Sequence, residues 1–188
     1  MTTTEPAPTR LADLMLDFLA YLELERGLSR NTLEAYRSDL QQFGEFLARR
    51  GFAPLTITAV ELASFVSELA DGREGRAAAQ PATLQRKVAC LRSFYRHLRR
   101  ERLIGHDPAA ELRGPRSRAR LPQVLSRDEV TLLLAQPAGT SPAALRDRAL
   151  LETMYACGLR ASEAIGLELS ALDLDAGILR AHGKGSKE

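Results

Sequence analysis

From Leu11 to Leu98 apolar side chains recur every three or four positions in four separate stretches, with no run of strict alternation among them. A chain patterned this way buries its apolar surface by setting helix against helix. Leu11, Leu14, Met15, Phe18, Leu19 and Leu22 form the first face, which Gly27 ends. Ser29 and Asn31 offer caps for a second helix running to Arg50, with Leu33, Tyr36, Leu40, Phe43 and Leu47 inward and Gly51 at its end. A third, shorter helix follows Thr58 and continues through Val60, Phe65, Val66 and Leu69. Pro81 suits the first turn of a fourth, whose stripe is Leu84, Val88, Leu91, Tyr95 and Leu98.

The pattern then changes. Gly105 to Pro122 is rich in proline, glycine and arginine and lacks apolar periodicity, which reads as an exposed linker. Beyond it, Ser126-Arg127-Asp128-Glu129 has the spacing of a capping box and predicts a helix to about Ala135. Ala143 to Ala156 predicts another, with Leu145, Ala149, Leu150, Thr153 and Met154 on its inner face; Gly158 interrupts it, and Ser162 to Leu167 forms a short third. Asp175-Ala176-Gly177 is a turn from which Ile178 to His182 extends as a strand. The expectation is a mainly α chain: a four-helix domain over residues 9–104, a linker over 105–122, and a mixed α+β unit over 123–188.

Net charge is only +2, but its distribution is uneven. Between Leu84 and Arg120 eleven basic residues stand against the acids Glu101, Asp107 and Glu111, a local balance of +8. Arginine predominates there, and a planar guanidinium matches a phosphate with two hydrogen bonds. Arg92, Arg96 and Arg99 share a face of the fourth helix away from its stripe; Arg86 and Lys87 precede them, and Arg30 and Arg37 lie on the second helix. These are candidate contacts to a polyanion, although an arginine-rich composition and an ordinary solvated face fit the same pattern. Cys90 and Cys157 are far apart and His97, His106 and His182 are scattered, so neither a disulfide framework nor a metal site is expected. No apolar run is long enough to span a bilayer and Met1 to Arg10 is polar, so a soluble, cytoplasmic protein without a cofactor is expected.

Arg160 follows a helix-breaking glycine and precedes a short helix, a junction that can hold a guanidinium still, and Glu163 can reach back to it. Taken alone, the tripeptide fits a helix-start arginine paired with a local glutamate equally well. Lys184 stands between Gly183 and Gly185 after the extended run, where a tight turn brings an ammonium close to a strand of DNA; by itself it also fits an ordinary hairpin lysine. A nucleotide-binding loop is disfavoured, because Gly185 follows Lys184 where Ser or Thr is required and Ile178 occupies the place of the first glycine.

Taken together, Tyr155 to Glu163 and Gly183-Lys184-Gly185, with Leu28 to Leu40, Asp107-Pro108-Ala109 and Leu145 to Leu150 upstream, resemble the Xer-type tyrosine recombinases of the phage integrase family. The resemblance runs from Leu11 to Glu188. It implies a SAM-like four-helix domain that clamps double-stranded DNA, followed by the first part of a tyrosine-recombinase catalytic domain. It implies Arg160 as the first catalytic arginine, with Glu163 supporting it, and Lys184 as the general acid that protonates the departing 5′ hydroxyl. A homologous recombinase subunit is the implied second partner, and chromosome partition at cell division an implied setting. The family's His-x-x-Arg pair and tyrosine nucleophile lie downstream of the hairpin and have no counterpart here; Tyr21, Tyr36, Tyr95 and Tyr155 read as packing residues. The expectation is a carboxy-terminally truncated recombinase that binds DNA without cleaving it. The alternative is a non-catalytic DNA-binding module that occupies a recombination site or modulates an intact recombinase.

Overall fold

Each of the four periodic stretches forms a helix. In a computed structural model that describes residues 11–72, 77–115, 123–181 and 183, they are α1 (Leu11–Leu24), α2 (Arg30–Arg50), α3 (Ala59–Asp71) and α4 (Pro81–Arg100). Local chemistry sets their ends. The Thr58 hydroxyl accepts the Glu61 N–H at 3.3 Å while the Glu61 carboxylate accepts the Thr58 N–H at 2.8 Å, so two otherwise orphaned donors are satisfied at the start of α3. At the end of α2, Gly51 turns left-handed at φ 68° and the Phe52 N–H reaches back to the Leu47 carbonyl at 3.0 Å. The end of α4 has the same hydrogen bond, Leu103 N–H to Leu98 carbonyl at 3.0 Å, but the left-handed residue is Arg102, at φ 60°.

Backbone packing divides the chain into two units, Met1–Ala119 and Arg120–Glu188. The core of the first is aromatic. Phe18, Phe43, Phe46, Phe94 and Tyr95 are wholly buried, with Phe94 edge-on to Phe18 at 5.4 Å and Phe65 within 5.2 Å of both Phe43 and Phe46. The Tyr95 hydroxyl donates to the Pro54 carbonyl at 3.1 Å, and burial pushes its pKa up. The expected α4 stripe of Leu84, Val88, Leu91, Tyr95 and Leu98 is buried throughout.

Two expectations need correction here. Val60 is exposed, and Leu62 takes the inward position on α3. The segment after α4 is not an exposed linker from Gly105 onward: Asp107, Pro108, Ala109 and Leu112 are buried, and Ala109 and Leu112 belong to the core of this unit. The Asp107 carboxylate accepts the Ala109 N–H at 2.8 Å, which shapes a turn that lays the two small apolar side chains on the helices. Further along, the Gln85 amide donates to the Pro115 carbonyl at 3.0 Å. Residues 116–122 of the expected linker lie outside the described residues.

The second unit contains α5 (Arg127–Leu134), α6 (Pro142–Cys157), α7 (Ala161–Ile165), a single 3₁₀ turn at Leu169–Ala171, and the antiparallel strands β1 (Leu172–Asp173) and β2 (Ile178–Leu179). Leu172 pairs with Leu179 and Asp173 with Ile178. The Ser126–Glu129 capping box starts α5 as its spacing predicts. The expected strand to His182 is shorter, ending its ladder at Leu179, and His182 itself lies outside the described residues. The expected inner face of α6 is open: Leu145 is 52% and Leu150 39% exposed. Tyr155, expected to pack, is 60% exposed. Among the described residues of this unit only Ala164 is a buried hydrophobic, because an eight-residue helix, a five-residue helix and two-residue strands present too little surface to cover α6. Among the described residues no helix is long and apolar enough to cross a membrane.

Candidate functional site

In the first unit, the apolar stripe that anchors α4 in the core leaves the opposite side of the helix to solvent. Arg92, Arg96 and Arg99 stand there, exposed, and none of their guanidinium groups has an acceptor among the described residues. Spaced four and three apart, they form one row of donors. On α2, Arg37 is exposed and likewise unpaired among the described residues, while Arg30 donates to Glu34 one turn on at 3.0 Å. Exposed pairs of this kind contribute about 0.3–0.5 kcal/mol, so the Arg30 guanidinium is only weakly held.

Arg86 and Lys87 differ from the rest. Lys87 is buried, and its Nζ donates to Oδ1 of Asp39 at 2.7 Å. Arg86 donates through Nη1 to the other carboxylate oxygen of Asp39 and to the Ala35 carbonyl at 3.2 Å, while 40% of its side chain remains exposed. Lys87 is therefore corrected from a candidate surface contact to an internal counter-ion, its ammonium buried against a carboxylate on α2. Asp39 was missed as a site residue, although the signal was present in the spacing. It sits three residues after Tyr36 and four before Phe43, on the inward stripe of α2, as Lys87 sits between Leu84 and Leu91 on that of α4.

In the second unit, Gly158 ends α6 in a left-handed conformation at φ 64°, with the Leu159 N–H bonded to the Met154 carbonyl at 3.1 Å. Two residues later Arg160 is the extended residue that opens α7. The Glu163 carboxylate grips it twice, accepting the Arg160 N–H at 2.9 Å through Oε2 and the Nη1 donor at 2.8 Å through Oε1. Its pKa is lowered, first by the backbone N–H and then by the guanidinium of Arg160. The glutamate is largely covered, with its side chain 12% exposed, whereas the arginine is 74% exposed. The arrangement fixes the root of a guanidinium and leaves its Nε and Nη2 donors without an acceptor among the described residues. A cleft of about 460 Å³ is lined by Glu163, Glu168, Ser170 and Arg180. Arg180, which directly follows β2, was not singled out from the sequence. Lys184 lies outside the described residues.

Comparison with known families draws the two units together. The phage integrase N-terminal SAM-like domain matches residues 16–102, and the phage integrase family model matches residues 123–188. The chain belongs to the phage integrase family of tyrosine recombinases. This integrase-family chain is 42% identical over 187 residues to the tyrosine recombinase XerD of Proteus mirabilis, an alignment that takes in 100% of the chain and 58% of that relative. It is 38% identical to the tyrosine recombinase XerC of Xanthomonas campestris pv. campestris, over 99% of the chain and 56% of the relative. The chain thus spans little more than half the length of these relatives. Its fold is similar to that of a lambda integrase dimer bound to a COC′ core site, with a TM-score of 0.66 at 26% identity, over 94% of this chain and 59% of that one.

Proposed function

We propose that this integrase-family chain binds duplex DNA through its helical unit and contributes, from its second unit, the opening part of a phosphoryl-transfer site for site-specific recombination. The helical domain over residues 9–104, with the segment to Leu112 docked on it, clamps the duplex; residues 123–188 are a partial catalytic domain. The observation that carries this reading is the row Arg92, Arg96 and Arg99, exposed and unpaired among the described residues on a helix whose other side is locked in the core. Arg30, Arg37 and Arg86 extend the same set of donors. Contacts to phosphate of this kind position a protein without reading bases.

The chemistry follows from charge. Attack of a tyrosine hydroxyl on a DNA phosphodiester passes through a five-coordinate phosphorus whose non-bridging oxygens gain negative charge, and yields a 3′-phosphotyrosyl link with release of the 5′ hydroxyl. A guanidinium held in place stabilises that charge without reorganising. Arg160, gripped by Glu163 at its backbone and its Nη1, suits that task. Lys184 donates the proton to the leaving 5′ oxygen, and rejoining reverses these steps, so the bond energy is conserved. The Tyr95 hydroxyl is committed to the Pro54 carbonyl inside the core, so it does not serve as the nucleophile. The working partners are double-stranded DNA and a second recombinase subunit, in the cytoplasm.

The test is equilibrium binding of the purified chain to a labelled duplex across a salt series. Affinity is expected to fall linearly with salt on logarithmic axes, and the Arg92→Ala, Arg96→Ala, Arg99→Ala triple variant is expected to flatten that slope by about 3. Absence of binding at low salt, or a triple variant with the original slope, would reject the reading.

A further inference from the structure

We infer that Asp39 is a positioning residue: it aims the Arg86 guanidinium, at the crossing of α2 and α4, so that one free edge forms a bidentate phosphate subsite. The inference rests on the DNA-binding reading above and deepens it at one place. Arg86 uses only Nη1 on the protein, shared between the Asp39 carboxylate and the Ala35 carbonyl. Its Nε and Nη2 donors have no acceptor among the described residues, and the side chain is 40% exposed. Those two donors are the parallel pair of a guanidinium fork, the edge that matches two oxygens of one phosphate.

The carboxylate is well suited to hold that edge in place. Asp39 is only 4% exposed, and its second oxygen accepts Lys87 Nζ at 2.7 Å, so it cannot swing out with Arg86 into solvent. One negative charge inside the fold thus faces two positive ones, and the surplus charge is carried by Arg86, the member that reaches the surface. A long side chain normally loses rotamer freedom when it binds; here much of that ordering is already done in the free protein. The row of Arg92, Arg96 and Arg99 has no such support, and its contacts to DNA are correspondingly looser.

The sign of one substitution separates positioning from plain electrostatics. Removing a carboxylate from a surface that meets a polyanion strengthens binding if only net charge matters. Positioning requires the reverse: Asp39→Asn weakens duplex binding severalfold, with the salt slope nearly unchanged because Arg86 keeps its charge. Arg86→Ala is expected to weaken binding about tenfold and flatten the slope by about 1. The decisive measurement is the double-mutant cycle in the full chain, read by fluorescence anisotropy on a labelled duplex well below each variant's melting temperature. Asp39→Asn is expected to change affinity by less than twofold in the Arg86→Ala background. Equal loss in both backgrounds assigns Asp39 a structural role through Lys87 and overturns the inference, as does tighter binding by Asp39→Asn alone. If Arg86→Ala binds like the unmodified chain while the Arg92, Arg96 and Arg99 triple variant is impaired, the inference fails and the DNA-binding reading survives. If the unmodified chain does not bind the duplex, both fall.

Discussion

Replacing Lys87 with methionine tests whether this lysine belongs to the interior or to the DNA surface. Methionine keeps most of the apolar stem and removes the ammonium that lies 2.7 Å from Asp39 Oδ1 with its side chain only 10% exposed. Removing one partner of a buried ion pair commonly costs about 3–5 kcal/mol, because the other charge is left uncompensated. Asp39 retains Arg86 as a partner, and the desolvation of the ammonium is relieved, so the expected cost falls to about 1–2 kcal/mol. In a unit of this size each kcal/mol shifts Tm by about 4–8 °C. Thermal unfolding followed by circular dichroism should therefore move down by roughly 5–15 °C. The salt slope of duplex binding, measured well below the melting temperature, should not change, because no phosphate contact is lost. Arg92→Ala should do the opposite, leaving the unfolding free energy within about 0.5 kcal/mol of the original and flattening the slope by about 1. A Lys87→Met chain that melts like the original and loses a unit of salt slope would place the ammonium on phosphate and refute the argument from burial.

Phe94→Ala removes a wholly buried ring that meets Phe18 and Tyr95 at 5.4 and 5.2 Å, and is expected to cost about 3–5 kcal/mol, seen as a lower urea midpoint at unchanged m-value. Arg102→Gly relieves a left-handed backbone at φ 60° while keeping the Leu103–Leu98 hydrogen bond that closes α4, and should stabilise the helical unit by about 1 kcal/mol; a lower Tm would mean the Arg102 side chain contributes more than its backbone costs. Glu163 has a folded pKa below its ordinary 4.5, so its hold on Arg160 is fully present above that value and is lost as pH falls through the lowered one. Carboxyl carbon shifts in an NMR titration should report that low midpoint, and a Glu163 that titrates at or above the ordinary value would contradict the grip on Arg160.

Much of this protein was legible because it is local. The stripes of α1, α2 and α4, the helix start after Thr58, the capping box at Ser126, the glycine stops at Gly51 and Gly158, and the arginine row of α4 each depend on residues within a turn or two of one another. The same holds for the Arg160–Glu163 pair, whose three-residue spacing sets its geometry once a helix begins there. A capping glutamate beside an arginine says nothing by itself about phosphate; the order of motifs along the chain supplied that meaning.

What only the tertiary structure decided is which charges are inside. Lys87 and Asp39 stand 48 residues apart, and only the packing of α4 on α2 brings them to hydrogen-bonding distance. Each interrupts an apolar stripe, and together they form a buried pair, which removes Lys87 from the surface and fixes Arg86 upon it. Ala109 and Leu112 were similarly hidden in a segment without periodicity, because a turn closed by Asp107 makes core residues of two side chains that no helical repeat marks. Sequence determined the elements and their polar faces through short-range sterics and capping. The burial of charge and the reach of the core were set by long-range packing, where the cost of an unpaired group depends on what the rest of the chain places beside it.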